Sequence, residues 1–457
     1  MVLDPEIAMI RLGYGLSPDS PQAVDADLLL ASVATARPDV DAIRMADIDA
    51  RRQVENDLAA AARKPGSDKP TQRKSARMRR ETIWMAQRAF QVRVARAVAD
   101  PVGFGERLVQ FWSDHFTVAG GNRFQSLIAA AHVDEAIRPH LGGRFSDLMF
   151  AAETHPRMLT YLNQSGSVGP NSAIARRRKD DDLGLNENLA REMIELHSLG
   201  VGGDYTQRDV RQLARLLTGL SYRSGQDRAF RPAMAEPGAD TVLGVTYGGN
   251  GQASLNDIRA VIEDLAMHPD TARHLARKLA VHFVSDDPPA DLIDRLAQTY
   301  RQADGDLSAV YVTLAEAPEL AAGFRQKARQ PFDFVVAALR ALGMRGGDLR
   351  QLDRRDSNGR LLRPLQTMGQ RWAMPRGPDG WPESAESWIT PQGLAARIDW
   401  SMRHPAKLLG DLPDPRDFLR TALGSTASQS LQWAVPKAES PREGVAIVLA
   451  SADFNRR

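Results

Sequence analysis

Residues 186–200 read NENLAREMIELHSLG, and the spacing of their apolar side chains predicts one amphipathic helix. Asn186 is a suitable N-cap for this helix, and Gly200 is suited to end it. With about 100° of rotation per residue, the apolar arc contains Leu185, Leu189, Met193, Leu196 and Leu199. Glu192 falls inside that arc. We therefore expect its carboxylate to be buried and to need a cation, a hydrogen-bond donor or a metal ion as its partner.

A second segment, residues 104–118, has the same pattern with a histidine inside the apolar arc. Its apolar face consists of Phe104, Leu108, Phe111, Trp112 and Val118. His115 projects from the middle of this face, and apolar faces converge on the core. We predict that His115 and Glu192 approach each other directly or across one shared water molecule or ion. The alternative is that each side chain finds its own backbone or arginine partner.

Three other ionisable residues are candidates for supporting roles. Glu195 lies at the edge of the apolar arc of residues 186–200, and His197 lies about 140° round the helix from Glu192. His282 lies at the edge of the apolar face of another predicted helix. For catalysis the candidates are Glu192 as base or ligand with His115, supported by His197 or Glu195. For a divalent metal ion they are His115, Glu192 and His282, although no His-Glu-x-x-His pattern occurs. A buried ion-pair network without catalysis is the structural alternative.

The same segments carry a resemblance to a known family. The motifs are Phe111-Trp112-x-x-His115-Phe116, residues 186–200, and Gly377-Pro378-Asp379-Gly380-Trp381-Pro382. They resemble the bacterial family catalogued as domain of unknown function 1800, and the similarity covers nearly the whole chain. The resemblance implies no established activity. It implies a protein partner, since members often accompany a family similar to alkaline phosphatases and sulfatases.

Two positions depart from the family pattern. Family members often carry a histidine where this chain has Ser113, and another where it has Ala235, before Glu236-Pro237-Gly238. If those histidines bind a metal ion elsewhere in the family, the site in this chain is lost or remodelled. Trp381 lies on a rigid turn, where a tryptophan more often fastens a loop to the core than walls a pocket.

Outward from these segments, helical periodicity dominates the chain. Amphipathic segments of 10–25 residues follow one another with short polar connections, which predicts an all-α, multi-helix fold built as one unit over residues 1–457. The pattern fails near residues 222–248, where a β-rich run predicts one small hairpin. Residues 64–74 are predicted to be a mobile linker, and residues 164–184 a long loop containing a block of basic and acidic side chains. Thr206 and Asp209 have the spacing of a capping box.

Composition excludes several classes of function. The 457 residues carry a formal charge of +2 and no cysteine, so a nucleic-acid partner, disulfides and thiolate metal sites are not expected. No nucleotide-binding motif, membrane span or signal segment is present, which makes a cytoplasmic location the default without excluding the periplasm. The cofactor is unknown, and a divalent metal ion is the candidate.

Two functions remain open. The first is an enzyme, most plausibly hydrolytic, that uses Glu192 and His115. The second is a non-catalytic helical protein that binds or assembles with a phosphatase- or sulfatase-like partner. A solvent-reachable cavity that touches both His115 and Glu192 favours the enzyme, and a dry, fully paired cluster favours the binding protein.

Overall fold

A computed structural model describes residues 4–177, 184–222 and 229–457. Helices make up most of this part of the chain, and the two small sheets within it have two strands each. The predicted all-α fold with a small hairpin is therefore confirmed. No helix in these ranges combines the length and the apolar character that crossing a membrane requires.

The α-helices of the described residues are numbered in chain order and are given in three sets of nine. The first set consists of α1 Pro5–Arg11, α2 Ala26–Thr35, α3 Met45–Arg63, α4 Lys69–Ala99, α5 Phe104–His115, α6 Arg123–His132, α7 Phe145–Glu153, α8 Pro156–Tyr161 and α9 Ala173–Arg177. The second consists of α10 Asn188–Glu195, α11 Gln207–Leu216, α12 Leu255–Met267, α13 Pro269–Phe283, α14 Ala290–Gln302, α15 Leu307–Ala315, α16 Glu319–Ala322, α17 Pro331–Ala341 and α18 Gly346–Gln351. The third consists of α19 Arg354–Asp356, α20 Arg363–Thr367, α21 Ala385–Trp388, α22 Pro391–Arg403, α23 Pro405–Leu409, α24 Pro415–Leu423, α25 Gln429–Ala434, α26 Pro441–Ala450 and α27 Ala452–Asn455.

Local sequence signals account for many helix starts. The predicted capping box is present, because the Thr206 side chain accepts from the Asp209 N–H while Asp209 accepts from the Thr206 N–H. Two segments are wound as π-helix, Val133–Ile137 directly after α6 and Ser357–Leu362 before α20. Such π turns often lie at functional sites.

The hairpin pairs β3 Pro237–Val242 with β4 Val245–Gln252 in antiparallel register. Val242 lies opposite Val245, so Leu243 and Gly244 form a two-residue turn, and both have positive φ. Positive φ at both positions is the geometry that hairpin twist favours. A second, shorter pair joins β1 Leu220–Ser221 to β2 Ala229–Phe230. Residues 223–228 of the predicted hairpin region lie outside the described residues.

Helical residues occur within both segments that the sequence predicted to be irregular. Helix α4 begins at Lys69, where the Asp68 carboxylate accepts from the Thr71 N–H, so only residues 64–68 connect α3 to α4. Residues 164–184 contain a 3-10 turn at Gln164–Gly166 and helix α9. Most of the charged block, residues 178–183, lies outside the described residues.

Two large hydrophobic clusters form the core. One joins α1, α2 and α5 to helices α7 and α10–α15. The other surrounds α17, whose residues are all buried, and includes side chains of α4, α18, α22, α24 and α26. Helices α4, α5 and α6 lie where these clusters meet, and together with residues 370–381 they enclose the pocket described below.

Candidate functional site

Helix α10 is shorter than the sequence pattern indicates. It ends at Glu195 rather than at Gly200. The imidazole of His115 donates from Nε2 to the carbonyl of His197 (3.2 Å), and the imidazole of His274 donates from Nε2 to the carbonyl of Leu196 (3.1 Å). Two consecutive carbonyls beyond the helix thus receive side-chain donors from α5 and α13, which satisfies groups that the helix end leaves open.

The predicted burial of Glu192 is wrong. Its side chain is only half-buried, and within the described residues it has no hydrogen bond or ion pair. The predicted apolar arc includes residues outside the helix, since Leu185 precedes α10 and Leu199 follows it. Partial burial raises the pKa of Glu192, and the nearby carboxylates of Glu195 and Glu153 act in the same direction.

His197 faces the core, contrary to its predicted position on the far side of the helix. Its Nδ1 lies 2.6 Å from Oε1 of Glu153, and both side chains are buried. Since the chain leaves the helix at Leu196, the rotation of about 100° per residue no longer applies to His197. Glu153, the last residue of α7, was missed, although its place at the end of an apolar helical pattern was a signal for burial.

No hydrogen bond or ion pair joins His115 directly to Glu192 in the part of the chain that the structure describes, and a contact across a shared water molecule or ion stays a prediction. The hydrogen bond of His115 goes to the backbone of His197. The neighbours of its ring are instead His197 at 5.7 Å and His274 at 6.4 Å between ring centroids. Burial lowers the pKa of His115 well below its ordinary value, and the positive charge of Lys278 adds to this effect. The imidazole is therefore neutral, with a proton on Nε2.

The proposed metal ligands are also not brought together. His282 lies with Nδ1 2.5 Å from Oε1 of Glu383, and its Nε2 accepts from Nε of Arg107. Nowhere in the described ranges do three or more histidine, aspartate or glutamate side chains form a group that could hold a metal ion. Glu195 forms an ion pair with Arg191, with 3.0 Å between Oε1 of Glu195 and Nη1 of Arg191.

The cavity test gives a divided result. Three pockets formed by described residues are not lined by His115 or Glu192. The cluster is not fully paired either, because Nδ1 of His115, Nε2 of His197 and Oε2 of Glu153 have no hydrogen-bond partner among the described residues. Asp114, the residue before His115, lines one of these pockets.

We call this pocket the tryptophan pocket. Its cavity volume is about 90 Å³, within about 740 Å³ of empty space that includes the solvent at its mouth. Its apolar wall includes Val118, Ala129, Ala130, Phe332, Leu365, Trp372, Pro375 and Trp381. Its polar groups include Arg93, Gln110, Ser113, Asp114, His132 and Gln370. A concave, mostly apolar site with a few polar groups is the usual form of a small-molecule site.

The segment Gly377–Trp381 holds Asp114 in place. The Trp381 N–H donates to both carboxyl oxygens of Asp114, at 3.0 Å each. Gly380 has φ +84°, and a Cβ at this position would lie 2.7 Å from Oδ2 of Asp114. Only glycine allows so close an approach in this conformation. Trp381 therefore both fastens its loop to α5 and walls a pocket, two roles that the sequence presented as alternatives.

Burial raises the pKa of Asp114, and the negative charges of Glu383 and Asp379 raise it further. Lys278 and the Trp381 N–H oppose the shift. Burial also lowers the pKa of the Lys278 ammonium group. In each case the surroundings favour the uncharged form. Asp114 retains partial access to solvent through the pocket.

His132 is the second titratable group of interest in the tryptophan pocket. Its Nε2 lies 3.3 Å from the carbonyl of Ala152, so this nitrogen carries the proton. Its Nδ1 has no hydrogen-bond partner among the described residues and presents a lone pair. Burial lowers the pKa of His132 well below its ordinary value, and the neighbouring His155 adds to the shift. The π-helical turn Val133–Ile137 begins at the next residue.

The model of the family described as "Protein of unknown function (DUF1800)" matches residues 7–456. The chain belongs to this family. The searches of curated proteins and of solved structures found no match.

The two departures from the DUF1800 pattern lie in different surroundings. Ser113 lines the tryptophan pocket beside Asp114. Ala235 is buried and lies against Gly219, where a Cβ would be 3.2 Å from the Ala235 methyl group. It is not among the residues that line the tryptophan pocket.

Proposed function

We propose that the protein is an enzyme that uses acid–base catalysis on a small, mostly apolar molecule bound in the tryptophan pocket. The observation that carries this proposal is that Asp114 and His132 line the same aromatic pocket. Trp372, Trp381 and Phe332 offer apolar surface for a ring or an alkyl chain.

The two groups suit opposite roles. The raised pKa of Asp114 keeps a proton on its carboxyl group near neutral pH, so it can donate that proton. The lowered pKa of His132 keeps its imidazole neutral, and the lone pair on Nδ1 has no partner among the described residues. This nitrogen is buried, so it accepts a proton from water only when the pocket opens beside it. Surroundings that push two pKa values apart in one site are a common mark of an acid–base pair.

Hydrolysis is the reaction class that fits these groups best. A water molecule would lose a proton to Nδ1 of His132 as its oxygen attacks an ester or related carbonyl group. The bond to the leaving oxygen would then break as Asp114 transfers its proton to that oxygen. The products are an acid and an alcohol, and exchange of protons with solvent restores both residues.

Hydrolysis of benzyl butyrate tests this proposal, because its alkoxide leaving group needs a proton to depart. Asp114→Asn keeps the shape of the side chain and removes the acid, so the rate should fall by about 100-fold or more. Ala130→Phe places a ring in the pocket and should abolish binding of the ester. Asp399→Asn and Ala60→Phe, at exposed positions on α22 and α3, are the matched controls and should retain the wild-type rate.

The pattern across the four variants decides the result. A rate that falls in both pocket variants and in neither control supports catalysis in the tryptophan pocket. Equal rates in wild type, Asp114→Asn and Ala130→Phe would contradict it. Asp114 lies on α5 and Ala130 on α6. Thermal unfolding of each variant shows whether a loss of rate comes from a loss of folded protein.

A further inference from the structure

A buried group of arginines lies away from the tryptophan pocket, where the last residues of the chain meet the start of α17. Residues 455–457 pair with residues 327–329: the Arg329 N–H donates to the carbonyl of Asn455 (2.9 Å), and the Arg457 N–H donates to the carbonyl of Lys327 (2.8 Å). This pairing brings two arginines to the first turn of α17, which contains Asp333.

Arg329 has an unusual environment. Its side chain is 2% exposed, and neither Nη1 nor Nη2 has a hydrogen-bond partner among the described residues. The guanidinium group lies 4.7 Å from the centre of the Phe454 ring. Buried polar groups are nearly always hydrogen-bonded, and an unpaired buried charge is especially costly.

Arg340 shows how a buried arginine is normally satisfied. Its side chain is 1% exposed, but its nitrogens donate to backbone carbonyls, including those of Gly15 (3.2 Å) and Pro101 (2.7 Å). Burial alone therefore does not explain the unpaired nitrogens of Arg329. The two residues differ in whether carbonyl groups surround the guanidinium.

The positive charge around Arg329 exceeds the negative charge. Oδ2 of Asp333 lies 3.3 Å from Nη2 of Arg107 and 3.6 Å from Nη1 of Arg457. The same carboxylate also attracts Arg329 and Arg397, but Arg397 donates in addition to Oδ1 of Asn455 (2.8 Å) and to the Arg329 carbonyl (2.7 Å). The nearby acids Glu383 and Asp286 are already engaged by Lys327, and Glu383 also by His282.

Loss of a proton does not remove this imbalance. Burial lowers the pKa of Arg329 only to about 9, so the group is still charged at neutral pH. Arg329 is therefore a buried cation whose Nη1 and Nη2 have no anionic partner within hydrogen-bond distance among the described residues.

We propose that Arg329, together with Arg107 and Arg457, forms a buried binding site for a small monovalent anion, with chloride as the physiological type. The side chains are at most 2% exposed, which excludes a ligand with a large solvated body. A halide ion is compact and accepts hydrogen bonds from any direction, so it suits guanidinium groups that come from three separate elements. Asp333 already supplies one negative charge, which disfavours a multiply charged oxyanion.

Thermal unfolding of the full chain tests the site. The protein is unfolded in sodium chloride, in sodium bromide and in sodium gluconate at equal ionic strength, so that general screening is matched. An anion that binds only the folded state raises Tm as its concentration increases. We expect Tm to rise with chloride and bromide relative to gluconate, which is too bulky for the site. The same Tm in all three salts would overturn the proposal.

Two arginine variants separate specific binding from general salt effects. Arg329→Met keeps the apolar part of the side chain and removes the cation, so the halide-specific increase in Tm should disappear. Arg340→Met also removes a buried arginine and should lower Tm, but it should retain the halide-specific increase. Retention of the increase in Arg329→Met would overturn the assignment.

A crystal of the wild-type protein grown in bromide gives a readout that does not depend on any variant. We expect an anomalous bromide peak within hydrogen-bond distance of Nη1 or Nη2 of Arg329. Water alone at this position, or bromide only on the protein surface, would overturn the proposal. Neither result bears on Asp114, so the test is independent of the proposed enzyme activity.

Discussion

Glu153 and Glu192 are two carboxylates near His197 that differ in what surrounds them. Glu153 is fully buried and bonded to the imidazole, whereas Glu192 is half-buried and has no partner in the described residues. Removal of one member of a buried pair leaves the other uncompensated and costs about 3–5 kcal/mol. Removal of a partly exposed, unpaired group usually costs little.

We therefore predict that Glu153→Ala lowers the free energy of unfolding by about 3–5 kcal/mol. Glu192→Ala should lower it by about 1 kcal/mol or less. Denaturant unfolding monitored by tryptophan fluorescence measures both. Glu195→Ala is the control, since Glu195 has a partly exposed ion pair with Arg191. Equal losses for Glu153→Ala and Glu192→Ala would contradict the assignment of the buried pair.

The neutral state of His115 has a consequence for stability in acid. Its pKa is lowered in the folded protein, so the unfolded chain binds a proton near pH 6.5 that the folded chain does not bind. The free energy of unfolding consequently falls as the pH falls below that value, by about 2 kcal/mol per such histidine between pH 7 and pH 5. Stability is lost towards acid and retained at neutral pH.

His115→Phe should remove this contribution, because phenylalanine fits among Phe111, Trp112 and Phe116 but does not titrate. The expected result is a shallower fall of unfolding free energy between pH 7 and pH 5, by about 2 kcal/mol. His268→Asn, at a partly exposed position, serves as the comparison. A His115→Phe protein with the wild-type slope would show that His115 binds its proton equally in the folded and the unfolded chain.

At the scale of elements, the sequence predicted helices well and helix ends poorly. Apolar periodicity identified the segments around α5 and α10 because it reflects a local rule. The end of α10 at Glu195 depends on donors from His115 and His274, which lie about 80 residues away on each side. Because the helix ends earlier than its pattern indicates, the sequence predicted the wrong orientation for the His197 side chain and too deep a burial for Glu192. Long-range hydrogen bonds of this kind leave no periodic signal.

The contact between Gly380 and Asp114 gives a test at the same scale. Gly380→Ala adds a methyl group 2.7 Å from Oδ2 of Asp114 and 2.8 Å from its backbone oxygen, at a positive φ. We expect it to displace Asp114 and to reduce both stability and hydrolysis.

Gly369→Ala is the matched control for Gly380→Ala. Gly369 also has a positive φ (+101°), but a Cβ there would meet nothing within 4 Å. It should show only the backbone cost of about 1 kcal/mol. If the two variants lose the same stability and activity, the close approach to Asp114 does not matter.

At the scale of the whole molecule, the pocket joins residues that are far apart in the sequence. Arg93 of α4, Asp114 of α5, His132 of α6 and Trp381 come together only in the folded chain. The motif containing Trp381 and the segment containing Asp114 were both recognised in the sequence, but their contact was not. His132 lies on a segment predicted to be helical, where it gave no signal of its own. The divalent metal ion and the phosphatase- or sulfatase-like partner stay predictions.

The pocket also predicts how hydrolysis depends on pH. Asp114 must carry its proton and His132 must be neutral. Activity should therefore be present between the lowered pKa of His132 and the raised pKa of Asp114. It should fall as the pH rises through the pKa of Asp114, because the acid loses its proton. A rate that keeps rising into the alkaline range would indicate attack by hydroxide without help from Asp114.

A carbon-13 NMR titration of protein labelled at the aspartate carboxyl groups tests the central claim most directly. The signal that disappears in Asp114→Asn identifies Asp114. We predict that this carboxyl group is protonated near neutral pH and titrates far above the ordinary value of about 3.9. His132, followed in the same samples, should stay neutral across this range. An Asp114 carboxyl group that is fully ionised at about pH 6 would contradict the account.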